Sequence, residues 1–218
     1  MLARTGERLP SRAVDMIGRA AGLVEVGAWV KANGHIGSPR FDRREGVWDT
    51  ILAKAANERV LYLEFGVFEG AATRWWAERL KNPETRMIGF DTFEGLPERW
   101  NTSYDKGHFD VDGQLPRIDD SRVSFEKGLF SDTLPHVKLP EHDVLVLNMD
   151  ADLYSSTIYV LRELRDAIKI GTYIYFDEFF DAPHELRAFR EFMSETGYAF
   201  EMVAATKAFQ HAAFIRVR

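Results

Sequence analysis

The stretch Val60-Leu61-Tyr62-Leu63-Glu64-Phe65-Gly66-Val67-Phe68-Glu69-Gly70 decides the fold. Val60 to Phe65 is a short apolar run, too short for a helix, and reads as a buried strand. A turn bracketed by Gly66 and Gly70 follows. Then Ala72, Trp76 and Leu80 recur at i, i+4 and i+8, which predicts a helix over Gly70 to Leu80. Gly66 lets the backbone turn sharply, and Gly70 lets the helix pack close to the strand. The helix start offers free N–H groups and the positive end of a dipole. A dinucleotide loop would read G-x-G-x-x-G. Here Glu64, Gly66 and Glu69 hold the alignable positions, and two glutamates would repel a diphosphate. A cofactor carrying an ammonium and a sulfonium is the better electrostatic match.

Downstream the same alternation repeats. Strands are predicted over Arg86–Asp91, Ser121–Glu126, Asp143–Met149 and Thr172–Phe176. Helices are predicted over Thr157–Ile168 and Pro183–Thr196, the latter begun by Pro183 and ended by Gly197. Tyr198–Ala204 and Ala208–Val217 read as a closing antiparallel pair. The pattern specifies an α/β, Rossmann-like, doubly wound sheet of seven strands, mostly parallel, with an antiparallel last strand. Such sheets bind ligands beyond the carboxyl ends of their strands, so function is expected in the loops after residues 65, 91, 126, 149 and 176. Upstream, Ser11–Lys31 carries Val14, Ile17, Ala21, Val24 and Ala28 at helical spacing, and Arg43–Asn57 carries Val47, Ile51 and Ala55. These helices precede the first strong strand. They predict an N-terminal helical cap over 1–57 on a main domain over 58–218. Their amphipathic faces suit a second copy of the chain as well as their own domain, so a homodimer is an expectation.

Bulk composition removes several classes. With 34 acidic against 28 basic side chains, the net charge is −6, and basic clusters such as Arg40-Phe41-Asp42-Arg43-Arg44 are interrupted by acids. No nucleic-acid-binding face is expected. Without cysteine there is no disulfide, thiolate metal site or thiol nucleophile. No stretch has the length of a membrane span, and the first 34 residues lack a signal peptide's apolar core, so a cytoplasmic protein is expected.

Asp91 closes the strand Met87-Ile88-Gly89-Phe90-Asp91, where a carboxylate can accept both ribose hydroxyls of an adenosine. Asp150 ends one later strand and Asp177-Glu178 the neighbouring one. Three clustered carboxylates repel, so they share protons or hold a cation. All-oxygen ligands suit Mg²⁺ or a similar hard ion. From Thr92 to Asp120 runs a long irregular segment with Trp100, Tyr104, His108 and Phe109, the length and content of a lid.

Four of these segments carry a family resemblance. Gly89-Phe90-Asp91-Thr92-Phe93-Glu94-Gly95-Leu96-Pro97 resembles the signature of the macrocin O-methyltransferase (TylF-like) sugar O-methyltransferases. So do Lys127 to Pro135, Met149 to Thr157 and Gly171 to Glu178, in the family's order. The resemblance implies S-adenosylmethionine as cofactor, held by Glu64, Gly66, Phe68, Glu69, Gly70, Thr73, Asp91, Thr92, Gly128, Phe130 and Asp150. It implies Asp150, Asp177 and Glu178 as ligands of a divalent cation. Glu178 departs from the two aspartates usual there. The acceptor it implies is a small carbohydrate or glycoside, such as a natural-product deoxysugar or a mannoside. Catechol methyltransferases, a similar family, place a lysine where Leu153 stands. An aromatic acceptor is the alternative reading, with the missing lysine counting against it, and a non-catalytic cofactor-binding protein is a second. A sugar hydroxyl needs a base. Asp152 is the first candidate, beside Asp150. His142, which precedes its strand, is the second.

Overall fold

The computed structural model describes residues 9–101 and 103–218. Helix α1 (Ser11–Ala32) and α2 (Arg44–Ala55) flank a two-residue strand, β1 (Arg40–Phe41). Then come β2 (Val60–Phe65), α3 (Ala71–Arg79), β3 (Arg86–Asp91) and β4 (Val123–Lys127). The single turn α4 (Phe130–Thr133) leads to β5 (Val144–Met149), α5 (Tyr154–Glu163) and β6 (Tyr173–Phe176). A π-helical turn, Ala182–Leu186, feeds α6 (Arg187–Thr196), and β7 (Phe200–Thr206) and β8 (Ala212–Arg216) close the chain.

The strands form one sheet in the order β1-β7-β8-β6-β5-β2-β3-β4. Only β8 runs against its neighbours; β6 and β7 both pair with it antiparallel, and the other pairings are parallel. All seven strands read from the sequence are present, with the antiparallel last strand as expected. The added eighth, β1, pairs with β7 at the edge through Arg40–Ala205 and Phe41–Thr206. Two residues give too little alternation to be seen as a strand in sequence. Part of the segment 1–57 thus lies within the main body, since β1 extends the sheet and α2 packs on one of its faces.

The central strands are buried on both faces, which is why they read as unbroken apolar runs. On one face Leu63, Phe65, Leu147, Met149 and Phe176 meet α1, α5 and α6 through Val26, Leu161 and Phe189. On the other Tyr62, Val146 and Tyr175 meet α2 and α3 through Trp48, Ile51 and Trp76. Each fully buried large side chain contributes roughly 1.5–3 kcal/mol.

Helix α1 corrects the sequence reading of its faces. Val14, Ile17 and Val24 are exposed, Val24 by 73%, and Ala21 and Ala28 lie outward with them. The helix seats instead through Gly22, Val26 and Val30, again at i, i+4 and i+8. Both rows have helical spacing, so periodicity does not choose between them. The choice falls to Gly22, where a Cβ would lie 3.2 Å from the Phe180 carbonyl oxygen. No helix among the described residues is long and apolar enough to cross a membrane.

Beyond α1, His35 is 7% exposed and accepts the Met202 N–H at Nδ1 (3.5 Å), and its Nε2 has no partner among the described residues. Burial holds its pKa below the ordinary 6.5; Glu201 opposes this and Arg40 adds to it. The folded chain therefore resists a proton that the unfolded chain accepts. Stability is full above pH 6.5 and falls as pH drops below it. Thermal unfolding should show this decline, and His35→Gln, which keeps an acceptor and cannot titrate, should flatten it.

Candidate active site

The carboxyl ends of β4, β3, β2, β5 and β6 are tied in one row. Gly128 N–H donates to Asp91 O (3.0 Å), Gly66 N–H to Phe90 O (3.0 Å), Asp150 N–H to Phe65 O and Asp177 N–H to Met149 O (both 2.9 Å). This row forms the floor of a cavity of about 1030 Å³. The chain reverses its winding between β2 and β5, and there the backbones touch. Gly66 has φ +96°, and a Cβ on it would sit 1.8 Å from the Asp150 carbonyl oxygen. No side chain fits. Gly70 is left-handed at the start of α3, and a Cβ there would press on Pro116 at 2.9 Å.

Asp91 organises the loop that follows β2. Its Oδ2 accepts the N–H groups of Val67 (2.7 Å) and Phe68 (2.8 Å), and its Oδ1 that of Phe93 (2.8 Å). The ribose role expected of it must share those oxygens with the loop they brace. Thr92, Gly128, Phe130, Phe68 and Asp150 line the same cavity. Glu64, Glu69, Gly70 and Thr73 do not. Glu69 is exposed, while Glu64 and Thr73 lie buried beneath the loop. There Glu64 Oε2 accepts the hydroxyls of Thr73 (2.7 Å) and Tyr62 (3.0 Å). Burial pushes the Glu64 carboxyl up to about 8, although those two hydrogen bonds favour the charged form.

The acids at the β5 and β6 ends share the far side of the cavity. Asp150, Asp152, Asp177, Glu178 and Asp181 all line it. Burial raises Asp150 well above the usual carboxylate range, with Asp177 and Asp152 adding to it. Burial also pushes Asp152 up to about 8, joined by Glu178, Asp177 and Asp181. Among the described residues no donor reaches the carboxylate of either. Asp152 sits on left-handed backbone, φ +58°, a conformation that costs a non-glycine residue about 1–3 kcal/mol and clusters at functional sites. Asp177 differs. Its Oδ1 accepts the Tyr175 hydroxyl (2.6 Å) and faces His211 Nδ1 (3.2 Å) and Arg44 Nη1 (3.4 Å). Burial alone would raise it, but those three partners hold it below the usual range. The Gln210 amide donates to Glu178 Oε1 (3.2 Å), and Glu178's own N–H to buried Glu185 (2.9 Å). Among the described residues no three of His, Cys, Asp and Glu are disposed to hold a metal ion.

His142 is not brought to this site. It precedes β5 at the amino end, its Nδ1 2.8 Å from the Pro140 carbonyl oxygen, while Asp150 follows the strand's other end. Residues that sequence reasoning missed take its place. His184, in the π-helical turn, lines the cavity and accepts the Tyr154 N–H at Nδ1 (3.1 Å), so its proton sits on Nε2 and it serves as a donor rather than a base. Asp181 accepts the Trp100 indole N–H (2.9 Å). A π-turn is a frequent mark of functional sites. It has no sequence periodicity to announce it.

The segment after Asp91 is folded. Leu96 N–H donates to His108 O and Gly107 N–H to Leu96 O, both 2.9 Å, and Glu94 bridges Asp110. Ser155 Oγ, on α5, donates to Glu98 (2.5 Å), and Trp100 bonds Asp181, so two contacts tie this loop to the acid side of the cavity. Two outcomes follow from this geometry. Gly66→Ala should unfold the chain or lower its melting temperature by many degrees, because backbone must move at the switch point. Glu64→Gln should raise thermal stability at pH 8 and lose that advantage towards pH 4.5. A carboxyl raised by folding contributes fully below its unfolded value of about 4.5 and is lost as pH rises through 8.

The macrocin O-methyltransferase (TylF) family model matches residues 3–208. Demethyldecarbamoylnovobiocin O-methyltransferase of Streptomyces niveus is 28% identical over 195 residues, 79% of this chain and 72% of that protein. A Streptomyces olivaceus enzyme, 8-demethyl-8-(2,3-dimethoxy-alpha-L-rhamnosyl)-tetracenomycin-C 4'-O-methyltransferase, is 26% identical over 70% of this chain and 66% of its own. Among solved structures, the O-methyltransferase NovP superposes with a TM-score of 0.59 at 25% identity, covering 80% of this chain and 78% of that one. The calicheamicin methyltransferase CalS11 does so at 0.57 and 21%, covering 79% and 76%, a likeness of fold. The chain thus belongs to the macrocin O-methyltransferase family of S-adenosylmethionine-dependent enzymes.

Proposed function

We propose that this chain methylates a hydroxyl of a sugar, with Asp152 as the base and a divalent cation assisting. The observation that carries the reading is Asp152 itself. It is a buried carboxylate on strained backbone, in the cavity shared by the Gly66 loop and by Asp150, raised to about 8 by burial and by its acidic neighbours. A fold has no use for an unpaired acid there, whereas proton removal from an alcohol does. The sugar is supported by the names of the curated relatives, one of which specifies a rhamnosyl 4' position.

The order of events follows from the residues. The loop from Gly66 to Gly70 and Asp91 hold the methyl donor, its cationic end towards the acids of the β5 end. The donor's methyl and the acceptor oxygen must lie in line, and holding that alignment is the main task of the site. His184 Nε2–H and the backbone of the π-turn orient the acceptor. Asp152 takes the hydroxyl proton as the oxygen attacks the methyl carbon and the carbon–sulfur bond breaks. The loop within 92–120 covers the donor and acceptor and excludes water.

The donor chemistry at the β5 and β6 ends suits a hard cation: oxygen only, with Asp150 and Asp152 raised by burial and by neighbouring acids. Asp150, Glu178 and the Oδ2 of Asp177, which are not disposed as a ready-made site, would have to draw together to hold it, since Asp177 Oδ1 already serves Tyr175, His211 and Arg44. When bound, such an ion lowers the pKa of the acceptor hydroxyl.

Transfer of labelled methyl to a panel of glycosides, with and without Mg²⁺, tests the reading. Asp152→Asn should lower kcat by about 10²–10⁴-fold while S-adenosylmethionine affinity, measured by calorimetry, holds. Chelator should lower turnover and added Mg²⁺ restore it. Methylation of free catechols in preference to glycosides would overturn the sugar reading, and full activity in chelator the cation's part.

A further inference from the structure

The row that carries the crossing, Gly66, Asp150 and Asp177, has a second row beneath it. Two residues back along β2, β5 and β6, and so on one face of the sheet, stand Glu64, Asn148 and Tyr175. They are register partners, Glu64 beside Asn148 and Asn148 beside Tyr175. Helices α2 and α3 roof this row with Trp48 and Trp76. Trp76 packs on Tyr62 at 5.3 Å between ring centroids, Trp48 on Trp76 at 6.2 Å and Trp48 on Tyr175 at 5.6 Å. None of these residues lines the cavity.

Packing alone does not select an amide here. On β5 the residues facing α2 and α3 run Val144, Val146, Asn148, so the apolar row breaks at the position nearest the crossing. Asn148 is 1% exposed, and neither its Nδ2 nor its Oδ1 has a partner among the described residues. The Tyr62 hydroxyl lies close to it without hydrogen-bond geometry, and its own proton goes to Glu64 (3.0 Å). The indole N–H groups of Trp48 and Trp76, buried in the same layer, have no acceptor among the described residues either. Native interiors satisfy nearly all such atoms, through protein groups or ordered water. Here three of the four atoms are N–H donors and the fourth is a carbonyl acceptor. A simple ion serves one kind only. Water accepts from the N–H groups and donates to the amide oxygen, and it needs about two to four such partners.

The row is tied to the site at both ends. Glu64 Oε2 accepts the Thr73 hydroxyl (2.7 Å) from the first turn of α3, the helix that begins where the loop after β2 ends. Tyr175 donates its hydroxyl to Asp177 Oδ1 (2.6 Å). Asn148 stands between the two. We propose that Asn148 is a positioning residue: ordered water held between its amide and the indole N–H groups of Trp48 and Trp76 joins Glu64, beneath the loop after β2, to Tyr175 and so to Asp177 at the β6 end. In-line methyl transfer needs the loop and the acids in fixed alignment. A bonded row directly under the crossing keeps the two from shifting apart. This role does not depend on which acceptor is methylated.

The indole signals read the layer directly. In the full chain with isotope-labelled tryptophan, the N–H resonances of Trp48 and Trp76 are assigned through Trp48→Phe and Trp76→Phe. Both should show magnetisation transfer from long-lived bound water. S-adenosylhomocysteine should shift both, although neither ring lines the cavity. Asn148→Leu, similar in volume and without polar atoms, should fold, lose the water signal and suppress the shift. This arm uses no acceptor. In turnover on the best acceptor of the glycoside panel, Asn148→Leu should lower kcat about tenfold while KM for S-adenosylmethionine holds. Asn148→Ser and Asn148→Ala leave nearly the same space, so a packing role makes them equal. The serine variant, which keeps a hydroxyl for the water, should instead turn over several-fold faster. That pair carries the test if the leucine variant does not fold. Indoles without bound water, a donor-induced shift that survives Asn148→Leu, or equal rates for the serine and alanine variants overturns the proposal. If no acceptor of the panel is methylated, the sugar reading falls and the indole signals alone decide this one.

Discussion

The site depends on a contact that has no room for a side chain. At the switch point the end of β2 and the end of β5 approach until the Gly66 Cα and the Asp150 carbonyl meet, and a Cβ at Gly66 would overlap that oxygen. Around this crossing, backbone hydrogen bonds carry the alignment sideways from Gly128 through Asp91, Gly66 and Asp150 to Asp177. The loop after β2 and the acids are therefore set by backbone, at the ends of strands whose interiors are buried. A site built so is stiff, which in-line methyl transfer requires.

Electrostatics divides the acids into distinct tasks. Asp91 has both oxygens in backbone hydrogen bonds and acts as a brace. Asp177 is neutralised at one oxygen by Arg44, His211 and Tyr175. Asp150 and Asp152 receive no such help among the described residues, and their carboxyls rise. Glu64 rises for another reason, since it is sealed beneath the loop with only hydroxyl partners. In a family of methyl-transfer enzymes, an acid-lined cavity whose charge burial holds back suits a sulfonium donor, which favours the charged carboxylates.

Much of this was legible in the sequence. Strand period and glycine placement located β2, β3 and β5 and the loops that follow them, and the motif order named the family. Asp150, Asp152, Asp177 and Glu178 were found because acids at the ends of apolar strands have few other reasons to be there. What sequence could not supply was orientation. Helix α1 has two rows at helical spacing, and the sequence does not say which faces inward. Glu64 and Glu69 both flank the loop glycines, yet one is buried under the loop and the other points into solvent. His142 and His184 look alike as residues, but the first lies at the wrong end of β5, and the second reaches the cavity through a π-turn that leaves no periodic trace.

The central claim is that Asp152 takes the proton in a sugar O-methylation whose geometry is set at the Gly66–Asp150 crossing. Its most direct test is single-turnover methyl transfer to a glycoside acceptor by Asp152→Asn, with S-adenosylmethionine affinity measured on the same protein. The account predicts a loss of about 10²–10⁴-fold in the chemical step with donor affinity unchanged. A variant that transfers methyl at the wild-type rate would contradict it.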